Sequence, residues 1–206
     1  DSTSKNINLQ DIDLSKANLK GLSSSGLYNV DQSNLPADWL EVNGTLFGPS
    51  AYVKNVEIND TSFTGDTLRG IRSKGIEYVG TSSPDFPDRW GLISGIIVGP
   101  TADLTSRIFH DQDFTEIGLI NATLDNINTK NITVNILDLP DDWHLVNNQD
   151  SDDELQTGIL IGPNVNLDET NLEGLDLRAI QLDGASSFGN IESNSETRLP
   201  QRWHLY

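Results

Sequence analysis

The chain has 206 residues, a mass of 22.6 kDa and a formal charge of −18, from 31 acidic residues against 13 Lys and Arg. This charge excludes a protein that binds the phosphate backbone of nucleic acid, which needs a surplus of cations. The sequence has no cysteine, which excludes disulfides and thiolate sites, and its apolar runs, such as Ile96–Val98, are too short for membrane insertion.

The first predicted elements are very short strands in a five-residue period, which returns after each Gly-Pro pair. The central position of the pentad is Leu, Ile, Val, Phe or Tyr in 19 of 22 cases. The residue before it is polar in nearly every case, and the residue two before it is mostly apolar. Such a triplet points two side chains to one interior, and the next two residues turn a corner. The centres are Leu9, Leu14, Leu19, Ser24, Val53, Ile58, Phe63, Leu68, Ser73, Tyr78, Leu104, Phe109, Phe114, Leu119, Leu124, Thr129, Val134, Leu139, Leu167, Leu172, Leu177 and Leu182.

A second predicted element is the phrase Leu/Phe-Pro-x-x-Trp, which first occurs at residues 35–39. Its four copies hold every tryptophan of the chain, at similar intervals along the sequence. A Gly-Pro pair follows each of the first three copies, and the residues just before it, such as 95–98, are predicted to form a strand closed by a turn. We expect a recurrent corner or wider coil here, with equivalent and at least partly buried indoles at Trp39, Trp90, Trp143 and Trp203.

Several pentads have a small residue, then Asp or Asn, then Leu, as in Ala17-Asn18-Leu19 and Ala102-Asp103-Leu104. This pattern resembles the Ala-(Asp/Asn)-Leu-x-x signature of pentapeptide-repeat proteins. The resemblance implies a right-handed quadrilateral β-helix with four pentads per coil and the central Leu pointing inward. One departure is the frequent Ile two residues before the centre, where the family prefers small residues, so we expect a coil that is wider or less square. Other pairs that carry the resemblance are Asn8-Leu9, Asp13-Leu14, Asn166-Leu167, Asn171-Leu172 and Asp176-Leu177.

The predicted fold class is therefore all-β, a single right-handed parallel β-helix (a solenoid) over residues 1–206. At about 20 residues per coil, the chain holds on the order of ten coils. Irregular stretches at 81–84 and 185–197 break the period and are predicted to be loops. The Trp phrases divide the solenoid into units of about 1–34, 35–85, 86–138 and 139–198, with a partial unit at 199–206.

An acidic insertion, residues 148–157, makes the segment from Trp143 to its Gly-Pro longer than the corresponding segments of the first two copies. Its carboxylates are the ligand type that calcium prefers, so Asp150, Asp152, Asp153 and Glu154 are candidate ligands. The insertion lacks the Gly and the distal Glu of an EF-hand loop. We therefore favour a solvated surface loop over a calcium site.

Four Asn-x-Thr sequons, at Asn43, Asn59, Asn121 and Asn131, are candidates for glycosylation in a secreted chain. The histidines do not predict catalysis, because His144 and His204 follow the repeat Trp and His110 is remote from both in the sequence. Acidic residues at dispersed turn positions, with short loops, also disfavour the carboxylate pair of a glycosidase. We expect no enzyme, no catalytic residue and no cofactor.

The chain starts and stops inside a repeat, and neither end shows the polar cap that keeps solenoids monomeric. Uncapped strand edges add further chains, and head-to-tail contacts that do not close form filaments. We therefore expect an edge at Ile7 and Leu9 of one copy to stack on an edge at Trp203, Leu205 and Tyr206 of the next.

These features favour a non-catalytic, extracellular structural protein, a subunit or segment of a filament on a cell or virion surface, whose partner is itself. An adhesin or glycan-binding module that uses the Trp-bearing edge or the loops is an alternative. The family resemblance implies a further alternative, an acidic DNA mimic that occupies the DNA site of a topoisomerase. No nucleic-acid partner and no membrane insertion are expected.

Overall fold

The computed structural model describes residues 6–81, 84–147, 153–187, 191–201 and 203. The described chain is mostly β, with little helix, and its strands form small sheets. It divides into two compact units, Asp1–Asp103 and Leu104–Tyr206. Within the described ranges, no helix is long and apolar enough to cross a membrane.

The strands are short, and the helical segments within the described ranges are single turns. Strands of the first unit are β1 (Ile7–Asn8), β2 (Leu27–Tyr28), β3 (Leu40–Val42), β4 (Thr45–Phe47), β5 (Tyr52–Ile58), β6 (Arg72–Tyr78), β7 (Gly91–Ile93) and β8 (Ile96–Val98). Strands of the second unit are β9 (Ile108–His110), β10 (Asn128–Lys130), β11 (Ile132–Asn135), β12 (His144–Val146) and β13 (Leu155–Ile161). The helical turns are α1 (Gly65–Leu68) and the 3-10 turns Gln32–Asn34 and Ile136–Asp138.

The parallel strand pairs share one register, in which each residue lies opposite the residue four pentads further along the chain. The pair β1–β2 places Ile7 opposite Leu27, the pair β5–β6 places Tyr52 opposite Arg72, and the pair β9–β10 places Ile108 opposite Asn128. Isolated parallel bridges continue this pattern at Asp113–Thr133 and Asn166–Ser186, and with slightly longer offsets at Asn171–Glu192 and Asp176–Arg198.

The pentad centres form the interior of both units. Of the 22 predicted centres, 16 are buried and six are half-buried, so the interior that the five-residue period predicts is confirmed. Phe114 and Leu172 are almost completely inaccessible, and Leu14 is half-buried. The half-buried centres are Leu9, Leu14, Leu19, Ser24, Tyr78 and Leu139.

The polar residue before each centre shapes the corner that follows it. The Asp13 carboxylate accepts a hydrogen bond from the Ser15 N–H at 2.9 Å, and the Asp113 carboxylate does the same for Thr115 at 2.8 Å. Such Asx turns satisfy a backbone donor at each bend, which explains why Asp and Asn recur in the pentads. The same contact is made by Asn8, Asn18, Asn166, Asn171 and Asp176.

Each of the first three Trp phrases leads into an antiparallel hairpin, which corrects the expectation of a corner or wider coil. The first hairpin pairs β3 with β4, the second pairs β7 with β8, and the third pairs β12 with β13. The first two close with two residues in the left-handed region, Asn43-Gly44 (φ 47° and 76°) and Ser94-Gly95 (φ 49° and 75°). This is type I′ geometry, whose twist matches that of paired strands.

Candidate functional site

The four tryptophans occupy equivalent turns. The N–H of Trp39 donates to the Pro36 carbonyl at 2.9 Å, and the other three tryptophans repeat this bond to their own Pro at 3.1–3.2 Å. Trp39 is buried, and the other three are half-buried. The prediction of equivalent, at least partly buried indoles is confirmed. The equivalent bonds join Trp90 to Pro87, Trp143 to Pro140 and Trp203 to Pro200.

Each hairpin packs its indole on the glycine of the Gly-Pro pair. A Cβ atom added to Gly48 would lie 2.1 Å from the Trp39 ring, closer than real Cβ contacts allow. The same test gives 2.2 Å between Gly99 and Trp90, and 2.5 Å between Gly162 and Trp143. The indoles therefore support their own hairpins, which argues against an aromatic ladder for sugars.

Three pentad centres are hydroxyl residues, and each lies beneath a hairpin. The backbone N–H of Leu46 donates to Ser24 Oγ at 2.9 Å, that of Ile97 to Ser73 Oγ at 2.7 Å, and that of Leu160 to Thr129 Oγ1 at 2.8 Å. These hydroxyl centres satisfy a backbone donor in the second strand of each hairpin. The sequence showed them as exceptions to the apolar pattern, and their shared role was not predicted.

The third hairpin is opened by the acidic insertion. Its second strand, β13, begins at Leu155 and pairs antiparallel with β11 before it pairs with β12. The candidate ligands Asp153 and Glu154 are exposed, whereas Asp150 and Asp152 lie outside the described residues. Within the described ranges, His, Asp and Glu side chains form no group of three suited to a metal ion.

The four sequon asparagines are exposed, but they differ in what their side chains contact. Asn43 Nδ2 donates to the Glu57 carbonyl at 2.7 Å, and Asn131 Nδ2 donates to Asp111 Oδ1 at 2.8 Å. Asn59 instead accepts from the Thr61 hydroxyl at 2.8 Å. A glycan on Asn43 or Asn131 would replace a contact of the fold, because in both residues Nδ2, the atom that would carry the glycan, is a hydrogen-bond donor.

The histidines lie in unrelated surroundings. His110 Nε2 is 2.7 Å from Asn128 Oδ1, and the buried Asn128 amide donates in turn to the carbonyls of Asn166 and Asp168. His144 is exposed at the start of β12, and His204 lies outside the described residues. The contact of His110 thus belongs to a network that ties neighbouring segments together.

Among the described residues, the largest lowering of a carboxyl pKa is at Asp176, on an exposed corner of the second unit. A hydrogen bond from the Arg178 side chain, aided by the positive charges of Arg178 and Arg198, lowers the pKa of Asp176 to about 2. Arg178 Nη2 lies 2.5 Å from Asp176 Oδ2, and Arg198 Nη1 lies 3.8 Å from it. Hydrogen bonds from neighbouring Ser or Thr side chains also lower the pKa of Asp13, Asp31 and Asp113.

The predicted assembly residues are only partly described. Strand β1 is an edge strand, and Ile7 is 50 % exposed, whereas Leu9 is half-buried. Ile12 nearby is 47 % exposed. Trp203 is half-buried, and Leu205 and Tyr206 lie outside the described residues.

Two hollows lie beside hairpin ends. The first-hairpin hollow, about 350 Å³, is lined by Asn6, Gly26, Leu27, Tyr28, Asn43 and Gly44. The third-hairpin groove, about 280 Å³, is lined on its polar side by Lys130, Asn131, Asn147 and Glu173.

No protein-family model, curated protein or solved structure matches the chain.

Proposed function

We propose that the chain is a non-catalytic structural module of an extracellular filament or fibre, on a cell or virion surface. Its proposed fold is a right-handed parallel β-helix of the pentapeptide-repeat kind, with four pentads per coil. The common offset of four pentads in the parallel pairs supports this coil length. Stacked coils of one kind form a quasi-one-dimensional body, which suits a fibre.

The observation that carries the proposal is that the recurring side chains serve the fold itself. Repeated Asn and Asp residues bond to corner backbone, repeated tryptophans lie on glycines, and hydroxyl centres bond to hairpin backbone. These polar and aromatic side chains recur in the repeats and make contacts within the fold. Such a pattern favours a structural role over a catalytic one.

Assembly is proposed to add a second copy at the β1 edge. Ile7 and Ile12 are 50 % and 47 % exposed there, whereas Val56 and Ile76 on the paired strands β5 and β6 are 6 % and 4 % exposed. Covering the edge would remove apolar surface from water, at about 25 cal/mol per Å². The proposed neighbour is the Trp203, Leu205 and Tyr206 edge of another copy.

The direction of the backbone N–H groups in β1 supports an edge that can accept a further strand at Asn8. The N–H groups of Ile7 and Leu9 donate to the Gly26 and Tyr28 carbonyls at 3.0 and 3.1 Å. Successive N–H groups of a strand point to opposite sides, so the Asn8 N–H is directed away from β2. This donor can pair with a further chain, as in β-strand addition.

The test is electron microscopy and sedimentation velocity of the purified chain across a range of salt concentrations. A charge of −18 per copy opposes assembly, so fibres should increase as salt screens the repulsion. Asn8→Pro removes the edge donor and should abolish fibres while the fold persists. The matched control Asn8→Ala keeps the N–H and should still assemble. Discrete particles at every salt concentration, or fibres of Asn8→Pro, would refute the proposal.

A further inference from the structure

The outer surface of the paired strands β5 and β6 carries like charges in register. Lys54 lies opposite Lys74, which we call the lysine column, and Glu57 lies opposite Glu77, which we call the glutamate column. All four side chains are exposed. Like charges directly opposite each other destabilise a strand pair, so this surface is unfavourable as long as it faces only water.

A bend in each strand turns both columns outward. Residues three apart in a regular strand point to opposite faces. Asn55 (φ 53°) and Gly75 (φ 62°) lie in the left-handed region, which shifts the alternation, so Lys54 and Glu57 are both exposed while Val56 is buried. A Cβ atom on Gly75 would lie 2.5 Å from Asn55 Oδ1, so only glycine leaves room there for the Asn55 side chain. The two columns therefore run side by side, with the bend between them.

The charges of the columns are not paired within the described part of the chain. The side chains of Glu57, Lys74 and Glu77 make no hydrogen bond or ion pair with the described residues. Lys54 Nζ lies 5.7 Å from the centroid of the Tyr52 ring, a contact that orients the ammonium group but does not neutralise it. Together the columns carry no net charge, in a chain of −18, so contact between two such surfaces adds no net repulsion of its own.

The second unit shows the ordinary arrangement of charges in this fold. Its bridge joins Asp176 to Arg198, and Arg198 Nη1 lies 3.8 Å from Asp176 Oδ2. Among the described strand pairs and bridges, only β5–β6 sets two acidic or two Lys side chains opposite each other. The opposing charges of β5–β6 thus lack a partner of the other sign in the next strand.

We propose that the two columns form a side-by-side contact with a second copy of the chain, about a two-fold axis parallel to the direction in which β6 stacks on β5. This axis places the lysine column of each copy opposite the glutamate column of the other. A two-fold axis along the strands would instead set like columns together. Complementary charge therefore selects copies that point the same way and are in register, and it fixes orientation more than affinity.

The first experiment reverses charges and measures self-association by sedimentation equilibrium at about 0.1 M salt, where distant charges are screened. Every chain carries Asn8→Pro, which removes end-to-end stacking. The acidic variant combines Lys54→Glu with Lys74→Glu, and the basic variant combines Glu57→Lys with Glu77→Lys. Each should associate about tenfold more weakly than the parent, because like columns then meet. An equal mixture of the two should associate as the parent does.

The exchanged variant, which combines all four substitutions, is the matched control. It keeps the charge of −18 and should associate as the parent does, because each column again meets the opposite charge. Circular dichroism reports whether each variant is folded, and all four positions are exposed. Association of the acidic or the basic variant alone at the strength of the parent, or no gain in their mixture, would overturn the proposal.

The second experiment traps the contact in the parent chain. A carbodiimide joins a Lys amine to a Glu carboxylate in contact with it, forming an amide with loss of water. In a mixture of isotope-labelled and unlabelled copies, mass spectrometry should find links from the lysine column of one copy to the glutamate column of the other. Their yield should fall as salt rises, whereas end-to-end stacking should increase. Absence of these intermolecular links would also overturn the proposal, whether or not fibres form.

Discussion

The hairpins of the first unit and the hairpin of the second unit make the same packing contacts, but their loops differ. In the first unit, two left-handed residues close each hairpin, as at Asn43-Gly44. In the second unit, an insertion replaces that turn, yet Trp143 still lies on Gly162 and Leu160 still donates to Thr129. The contact of the indole with glycine and the bond to the hydroxyl group are both kept when the two-residue turn is absent. These two contacts, and not the turn, are therefore the shared features of the three hairpins.

The comparison predicts its largest effect at the glycines. Gly48→Ala would place a Cβ 2.1 Å from the Trp39 ring, which must move, so we expect a loss of about 3 kcal/mol in the free energy of unfolding. Gly162→Ala should be as harmful despite the different loop. Urea denaturation checks both.

Gly65→Ala is the matched control, since nothing lies within 4 Å of its added Cβ, and it should be neutral or slightly stabilising. The double variant Gly48→Ala with Trp39→Ala should lose less than the sum of the single changes, because removing the indole removes the clash. Additive losses would show that the Trp–Gly contact is not the cause.

The second largest effect is expected at the hydroxyl centres. Ser73→Val leaves the Ile97 N–H without its acceptor in a buried position, which costs about 2 kcal/mol. Thr129→Val should cost a similar amount in the second unit, because Leu160 loses the same kind of bond. Ser73→Thr keeps the hydroxyl and should be milder. Thermal unfolding measures the relative stabilities of these variants. Equal stability of Ser73→Val and Ser73→Thr would contradict the prediction.

A smaller effect is expected when the loop of the third hairpin is shortened. Removing part of residues 148–153, which leaves the pairing of β13 with β11 intact, should change stability by less than about 1 kcal/mol, because loop-closure entropy varies slowly with length. Unfolding of the shortened chain at much lower urea would show that the insertion supports the hairpin.

The smallest effect concerns pH at Asp176, whose contact with Arg178 at 2.5 Å is closer than the Arg69–Asp38 and Arg69–Asp66 ion pairs of the first unit, at 3.9 and 4.0 Å. Its folded pKa is about 2, below the ordinary 3.8, so its contribution to stability is complete above pH 3.8 and is lost as pH falls toward 2. Arg178→Ala should raise this pKa toward the ordinary value. NMR titration of the carboxyl carbon measures it, and an unchanged midpoint would exclude Arg178 as the cause.

The interior could be predicted from the sequence because an apolar residue recurs at the centre of nearly every pentad, and all of the predicted centres are buried or half-buried. The hairpins were missed, although Asn43-Gly44 is a strong signal for a two-residue turn. The repeated Trp phrase favoured a recurrent corner or wider coil, because the local apolar alternation of β3 and β4 resembles that of the pentads. The groove could not be predicted, since it joins residues such as Lys130 and Glu173 that only chain folding brings together.

The tolerance of the third hairpin for extra residues has a practical consequence for engineering. A hairpin anchored at its base by an indole on a glycine and by a buried hydroxyl can carry foreign sequence at its tip. The tips at Asn43-Gly44 and Ser94-Gly95 are therefore natural positions for displaying a peptide epitope. If copies of the chain line up in a fibre, each displayed peptide would recur at a regular spacing, which turns a weak single-site ligand into a multivalent one.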